Sequence, residues 1–284
     1  MEKAKLLIVF CEGPHDAEFL ARVLRVLNGC EDHTGKKLRD YPLALGSYYE
    51  GALKRLPFLD KNKGSVFSDV PLPVILKQAA QTFVLVHSMR GDSKWEQAKP
   101  VFNNFLDLAA STTFGNFEVN FALFYDSDEH GVKAREEKAR GHLTEIFPNE
   151  GEALSTLRHS SPLKLLNRIL VGTFVFTGQD QTGGDLEDIM LPIMCQDELG
   201  KHNAEIFQEA SKFVDRFFDE KRVRKQKEFN PKKSIIGIAG QLQFSGVHNT
   251  VVIQRSDYLS DEKLRSSPQV KEIAAFFQQF FDAM

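Results

Sequence analysis

The chain is poor in cysteine and has no long apolar run. Its 284 residues include three cysteines, Cys11, Cys30 and Cys195, and no two of them are close in sequence. This spacing excludes a disulfide framework and a cysteine zinc site, and it suits a reducing cytosol. The N-terminal stretch MEKAKLLIVFCEG is too short to span a membrane and reaches acid too soon for a signal peptide. We therefore expect a cytoplasmic protein without a membrane partner.

Histidine motifs and an overall basic charge are also missing. The eight histidines show no HxH, HExxH or Cys/His spacing, which argues against histidine-based zinc chemistry. The formal net charge is −3, so any binding of nucleic acid must come from a local basic patch. No P-loop pattern GxxxxGK[ST] occurs, which excludes a Walker-type ATPase arm.

Apolar runs alternate with helical periodicity through residue 195. The predicted strands are 5–11, 82–88, 119–125 and 173–178. The predicted helices between and after them are 15–28, 93–111 (bent or restarted at Pro100), 132–147 and 183–194. This alternation predicts an α/β fold with a mostly parallel central sheet flanked by helices. We expect an α/β domain over 1–195, with an insertion at about 30–80 holding at most a short helix near 48–56. A mostly helical C-terminal extension over 196–284, with helices near 201–220, 232–242 and 260–282, is expected to pack on it.

Two of the predicted strands end abruptly in acid. LLIVFCEGPHDAEFL leads to Glu12, and NFALFYDSDEHG leads to Asp126 and Asp128. Functional groups of a parallel sheet collect where its strands end, so neighbouring strands would bring these three carboxylates together. Asp126 and Asp128 are two residues apart, so strand alternation would point both side chains the same way. Such a cluster persists most easily around a divalent cation, and oxygen-only ligands suit Mg²⁺ or Mn²⁺.

Two residues after the first strand could support this site. Gly13 would let the chain turn sharply and let a ligand approach the backbone closely. Asp16 lies in the first helical turn, where it is either a supporting residue of the site or an acid that complements the helix dipole. His15 and His130 flank the two acidic motifs and are either substrate contacts or exposed turn histidines.

The pair of motifs resembles the Toprim family. EGxxD after an apolar strand, here Glu12, Gly13 and Asp16, is followed much later by a strand ending in DxD, here Asp126 and Asp128. The resemblance covers roughly residues 5–28 and 117–195. It implies a Toprim-like fold and a nuclease in which the two aspartates hold an ion and Glu12 acts as a ligand or general base.

Two later segments are similar to the OLD-like, stand-alone branch of that family. GGDLEDIMLP offers Glu187 or Asp188 as a ligand for a second metal; the alternative is a pair of helix-start acids, with Asp185 as N-cap. NPKKSIIGIAGQLQ places Lys232 and Lys233 at a helix start, where cations are electrostatically misplaced. OLD-like nucleases carry a late lysine near the scissile phosphate, and the resemblance gives Lys233 that catalytic role.

A basic run over 221–233 is the candidate nucleic-acid surface. It reads KRVRKQKEFNPKK and is either a solvated helix end or a contact to the phosphate backbone. The candidate contacts are Lys221, Arg222, Arg224, Lys225, Lys227 and Lys232.

The sequence thus predicts a divalent-metal-dependent nuclease acting on DNA or RNA. The alternative is a non-catalytic module that binds nucleic acid or nucleotide together with a protein partner. A minor alternative is a DxD phosphatase, although His130 stands where such enzymes carry Thr or Val.

Overall fold

A computed structural model describes most of the chain. The described residues are 4–34, 73–89, 95–110, 117–178, 183–198, 200–219 and 229–284. The predicted short helix near 48–56 therefore lies outside them.

The described residues form a seven-stranded sheet. Its strands are β1 (Ala4–Cys11), β2 (Glu31–Asp32), β3 (Val74–Ala79), β4 (Thr82–Ser88), β5 (Phe117–Asp126), β6 (Leu163–Leu165) and β7 (Ile169–Phe176). They lie in the order β2-β3-β4-β1-β5-β7-β6. The central strands β4, β1, β5 and β7 are parallel, whereas β2, β3 and β6 pair in the antiparallel sense. The mixed α/β fold with a mostly parallel centre is as predicted.

Helices cover both faces of the sheet. They are α1 (Pro14–Leu27), α2 (Trp95–Ala110), α3 (Gly131–Ile146), α4 (Gly151–Ser155), α5 (Leu186–Met194), α6 (Asn203–Phe217), α7 (Pro231–Gly240), α8 (Asn249–Arg255), α9 (Asp261–Ser266) and α10 (Pro268–Ala283). One face packs against α2, α3 and α4, and the other against α1, α5 and the helices from α7 onward. None of the described helices is long and apolar enough to cross a membrane.

The central position of β1 in the sheet explains why its sequence is almost uniformly apolar. Leu7, Val9 and Cys11 pack into the core on one face, while Leu6, Ile8 and Phe10 pack into the core on the other. A parallel strand buried on both faces needs apolar side chains at every position. Its chain can become polar only where the strand ends, and this places Glu12 at the sheet edge.

The C-terminal helices form part of the layer on the α1 side. Helix α10 contacts both α1 and β7. Gly172 in β7 makes this approach possible, because a Cβ there would lie 2.9 Å from the Phe276 ring and 3.0 Å from the Phe280 ring. Gly172 also interrupts the apolar run of β7 in the sequence. For this reason the predicted strand, 173–178, begins later than the observed strand, Ile169–Phe176.

Several elements differ from the sequence prediction. Strand β3 lies inside the segment expected to be an insertion, and β6 and α8 were not predicted. Helix α2 continues through Pro100 rather than restarting there.

Candidate functional site

The ends of β1 and β5 meet at the carboxyl edge of the parallel strands. The register pairs Phe10 with Leu123, so β5 continues past the end of β1 at Cys11. Beyond that point the Glu12 side chain replaces the backbone of β1 as the partner of β5, because its Oε1 accepts a hydrogen bond from the backbone N–H of Asp126 at 3.0 Å. Sheet pairing therefore brings Glu12 and Asp126 together.

Asp126 also connects the sheet edge to helix α5. Its Oδ1 accepts a hydrogen bond from the backbone N–H of Leu186, the first residue of α5, at 2.9 Å. Burial raises the pKa of Asp126 well above its ordinary value, and the charges of Asp16, Glu12 and Glu187 raise it further. The helix N-terminus thus fixes a carboxylate that is costly to ionise without a cation.

Asp16 belongs to this cluster and also caps α1. Its Oδ2 accepts a hydrogen bond from the Gly13 backbone N–H at 2.7 Å, and the side chain is 6% exposed. Burial raises its pKa to about 6, despite the Gly13 hydrogen bond that lowers it, and Glu187 adds to the rise. Asp16 is therefore a helix-start acid that also interacts with the charges of Asp126 and Glu187, and its supporting role in the site stays a prediction.

The expectation that Gly13 is needed for a sharp turn was wrong in its physical reason. Its φ is −133° and ψ is 169°, extended backbone that any residue adopts. A Cβ there would meet only Asp16, at an ordinary contact distance of 3.7 Å. The backbone conformation does not require glycine at this position, and the close approach of a ligand to Gly13 stays a prediction.

Glu187 is a buried carboxylate with two basic neighbours and one unpaired oxygen. Only 1% of its side chain is exposed, and Oε1 lies 3.4 Å from His15 Nδ1 and 3.7 Å from Lys233 Nζ. Its second oxygen, Oε2, is buried without a hydrogen-bond partner among the described residues. Buried polar atoms are nearly always paired, so an orphan carboxylate oxygen beside other carboxylates indicates a missing cationic or donor partner.

Asp128 lies at the margin of this cluster. Strand β5 ends at Asp126 and Asp128 has φ 47°, so the strand alternation that was expected to align the two side chains does not extend to it. Its Oδ2 accepts a hydrogen bond from Arg135 Nη2 at 2.6 Å. Its backbone exchanges two hydrogen bonds with Gly184, of 2.7 and 3.0 Å.

Asp188 is engaged in a capping network at the start of α5. Asp185 is the N-cap, and Asp188 completes a capping box with it through hydrogen bonds of 3.1 and 3.0 Å. Lys232 Nζ binds Asp185 at 3.0 Å and Asp188 at 2.6 Å. Burial alone would raise the pKa of Asp188, but the hydrogen bonds from Lys232 and from Asp185, together with the charge of Lys232, outweigh it and the pKa is lowered. Of the two acids left open by the sequence, Glu187 faces the cluster and Asp188 serves the helix start.

The two consecutive lysines consequently lie in different environments. Lys232 neutralises the two acids of the α5 cap. These ion pairs would compete with the contact to nucleic acid that the sequence predicts for Lys232. Lys233 lies next to Glu187; burial lowers its pKa, but the charges of Glu187, Asp126 and Asp16 outweigh this and raise it. A cation held this way lies beside the acidic cluster with 45% of its side chain exposed.

The rest of the predicted basic surface falls outside the described residues. These positions are Lys221, Arg222, Arg224, Lys225 and Lys227.

Arg135 and His15 contact the site residues, although sequence reasoning gave Arg135 no role and left that of His15 open. Arg135 shares a buried helix face with Ala139 and Leu143, four and eight residues later. A charged residue on an otherwise apolar helical stripe was the available signal. His15, two residues before the buried Ala17, contacts Glu187.

The donor set can be compared with what a metal requires. Glu12, Asp126 and Glu187 offer carboxylate oxygens alone, which is the chemistry of Mg²⁺ or Mn²⁺ sites. The orphan Glu187 Oε2 fits a cation ligand. In the part of the chain that is described, no three His, Cys, Asp or Glu side chains are grouped closely enough to hold an ion as they stand. Cation binding would therefore draw these carboxylates closer together.

Comparison with known proteins adds little beyond the fold. No protein-family model and no curated protein matches the sequence. Among solved structures, the chain is similar to a hypothetical protein from Pyrococcus horikoshii, with 13% identity and a TM-score of 0.48. The match covers 97% of this chain and 95% of that one.

Proposed function

We propose that this protein is a divalent-metal-dependent nuclease that hydrolyses phosphodiester bonds in DNA or RNA. The observation that carries the proposal is the buried Glu187 oxygen without a partner, next to Asp126, Asp16 and Lys233. A protein retains such a destabilised group most readily where a ligand completes it. The Toprim-like pair of motifs supports the same chemistry.

In this proposal Glu12, Asp126 and Glu187 hold Mg²⁺ or Mn²⁺. The ion, when bound, stabilises charge on the phosphate and lowers the pKa of a water nucleophile. The Leu186 N–H orients Asp126, and the Asp126 N–H orients Glu12, so two of these carboxylates are positioned by backbone geometry. His15 Nδ1 lies within hydrogen-bond distance of Glu187 Oε1, at 3.4 Å, and would help to position this carboxylate.

Lys233 has a separate role in the proposal. Its amine lies beside Glu187, and the surrounding acids keep it charged. A phosphodiester at the edge of the cluster would meet this cation, which can neutralise charge that develops on the phosphate in the transition state. Asp128 and Asp188 are salt-bridged to Arg135 and Lys232, so we assign them to positioning rather than to metal ligation.

The test is cleavage of single-stranded, double-stranded and structured DNA and RNA with Mg²⁺, with Mn²⁺ and with chelator. Asp126→Asn keeps an acceptor for the Leu186 N–H but removes the charge, and it should lower the rate at least about a hundredfold. Asp107→Asn, an exposed aspartate on α2, is the matched control and should cleave as wild type does.

Two outcomes would contradict the proposal. Cleavage that survives Asp126→Asn would assign the activity to another site or to a contaminant. Absence of cleavage together with metal-independent, salt-sensitive binding would favour the non-catalytic binding module. A phosphomonoester substrate run in parallel tests the phosphatase alternative.

A further inference from the structure

Helix α6 carries two apolar stripes, and only one of them faces the core. Asn203, Phe207, Ala210 and Val214 form the buried stripe. A second stripe at helical spacing runs through Ile206, Ala210, Phe213 and Phe217. Phe213 is 55% exposed and Phe217 is 54% exposed. Burying these rings against a partner would remove a large apolar area from water.

Helix α7 extends this surface. Ile238 on α7 and Leu242 just after it are 36% and 71% exposed. A groove of about 400 Å³ lies between the helices, lined by Ile206, Ala210, Phe213, Ile238 and Leu242, with Glu205 and Glu209 at its rim. Within the described residues, the large apolar side chains that are well exposed all lie on or beside α6 and α7, except Leu166. Monomeric proteins rarely concentrate exposed apolar area in this way.

The charges along one flank of this stripe are self-complementary. Glu205, Glu209, Lys212 and Arg216 follow at spacings of four, three and four residues, so they share one side of α6. Both acids are in the N-terminal half and both bases in the C-terminal half. Lys212 and Glu209 form a 2.7 Å ion pair within the helix, but their side chains are 59% and 63% exposed. An exposed pair of this kind contributes little to stability and can exchange partners.

We propose that α6 pairs antiparallel with α6 of a second copy of this chain, across a two-fold axis. Antiparallel helices bring the same flank together in opposite directions, so Glu205 would face Arg216 of the second copy and Glu209 would face its Lys212. The two-fold axis repeats each pair. In a parallel arrangement the two charged flanks would lie on opposite sides of the interface and these pairs would not form.

The same register also places the apolar groups. With Glu209 opposite Lys212, the axis passes between residues 210 and 211. Phe213 then falls between Ile206 and Ala210 of the second copy, where it enters the groove between α6 and α7. Charge and shape therefore select one register, as knobs-into-holes packing requires.

The charge of the groove disfavours nucleic acid as the occupant. Exposed phenylalanines can stack on bases, and Arg216 lies 5.2 Å from the Phe217 ring centroid. The groove itself, however, is rimmed by Glu205 and Glu209, which repel a polyanion. A second copy supplies Lys212 and Arg216 against these acids, and nucleic acid supplies only phosphate.

Sedimentation velocity over a concentration series of the full chain tests the proposal. Wild type is expected to dimerise. Phe213→Asp and the single charge reversals Glu209→Lys and Lys212→Glu should each weaken the dimer at least about tenfold in dissociation constant. The double variant Glu209→Lys/Lys212→Glu restores opposite charges across the axis and should recover dimerisation. Leu166→Asp, which changes an exposed apolar residue elsewhere, should dimerise as wild type does.

Three results would overturn the proposal, provided that far-ultraviolet circular dichroism shows folded variants. The first is a wild-type protein that stays monomeric at every concentration. The second is a dimer that Phe213→Asp leaves unchanged. The third is a double variant no better than the single reversals. If wild type is monomeric and Phe213→Asp loses single-stranded DNA binding, the stripe is assigned to base stacking instead. The readout is oligomeric state, so this test is independent of nuclease activity.

Discussion

The Glu12 carboxylate accepts a hydrogen bond from the backbone N–H of Asp126, 114 residues later, at 3.0 Å. This contact fastens the loop after β1 to the end of β5. The position of Glu12 is therefore set by the pairing of two parallel strands and does not depend on a bound ion. The backbone therefore holds these carboxylates near one another without a cation, and the rest of the fold must offset their mutual repulsion.

The unpartnered Glu187 oxygen predicts opposite effects of one substitution with and without metal. Glu187→Gln removes a charge from the cluster, so it should stabilise the protein in chelator. The same variant should lose most of the stabilisation that Mg²⁺ or Mn²⁺ confers on wild type, which is about 2.7 kcal/mol when free metal is a hundredfold above its dissociation constant. Thermal melts with chelator, Mg²⁺, Mn²⁺ and Ca²⁺ measure both effects. Wild-type melting curves that coincide in all conditions would rule out a metal site here.

The raised pKa of Asp16 predicts that this residue destabilises the metal-free protein as pH rises. Its pKa is about 6 in the folded state and 3.8 ordinarily. Between about pH 4 and 6 the folded protein therefore binds more protons than the unfolded chain, and the stability from Asp16 falls through this window. Asp16→Asn can still accept the Gly13 hydrogen bond but does not titrate. Relative to wild type, it should gain up to about 3 kcal/mol in free energy of unfolding by pH 7.

The measurement is denaturant unfolding in chelator across this pH range. Taking the difference between the two proteins cancels the carboxylates common to both, including those with lowered pKa, such as Asp188. A difference that stays flat with pH would mean that Asp16 is not protonated in the folded state near pH 5.

The adjacent lysines provide a matched pair for separating stability from catalysis. Lys232→Met leaves Asp185 and Asp188 without their cation and should cost about 1 kcal/mol of stability, with a small effect on turnover. Lys233→Met removes the cation beside Glu187 and should lower kcat at least about tenfold in the presence of metal. Melting temperature and kcat are measured for both variants. If Lys233→Met leaves kcat intact, its proposed role at the phosphate is wrong.

Gly184 should be intolerant of a side chain. Its φ is +129°, and a Cβ there would lie 2.6 Å from the Gly178 backbone nitrogen and 2.8 Å from Asp188 Oδ2. Gly184→Ala should therefore destabilise the fold by about 1–3 kcal/mol and loosen the link between Asp128 and α5. Gly141→Ala is the control, because it lies inside α3, where an added Cβ would meet no described atom within 4 Å, and it should be neutral or stabilising. Urea unfolding distinguishes the two.

The part of the site that follows from strand burial was predictable. Apolar runs buried on both faces of a sheet can be read from sequence, and so can the acids where they stop, Glu12 and Asp126. Asp128 follows a different rule, because the chain leaves the strand after Asp126 and its φ of 47° is fixed by backbone pairing with Gly184. That partner is 56 residues away. No local pattern around Asp128 contains this information.

The choice between Glu187 and Asp188 also depended on distant residues. The two acids are consecutive, and helical geometry turns them about 100° apart. Either could have faced the cluster on sequence grounds. The direction of α5 is set by the Asp126 hydrogen bond to Leu186 and by Lys232 across the cap, and both contacts come from other elements. Strand β3 was missed for a related reason, since its apolar run follows a segment rich in loop-forming residues.

The position of α10 against β7 and α1 has a consequence for synthesis of the protein on the ribosome. The helix that covers Gly172 is Pro268–Ala283, which follows β7 in sequence only after α5 to α9. Until these residues leave the exit tunnel, Gly172 and the part of α1 that α10 contacts stay exposed, and long-range contacts of this kind form slowly. The nascent chain must therefore be kept from aggregating while α5 to α9 are being synthesised. The acidic edge likewise needs α5 and α7, so it is completed only after β7 has been made.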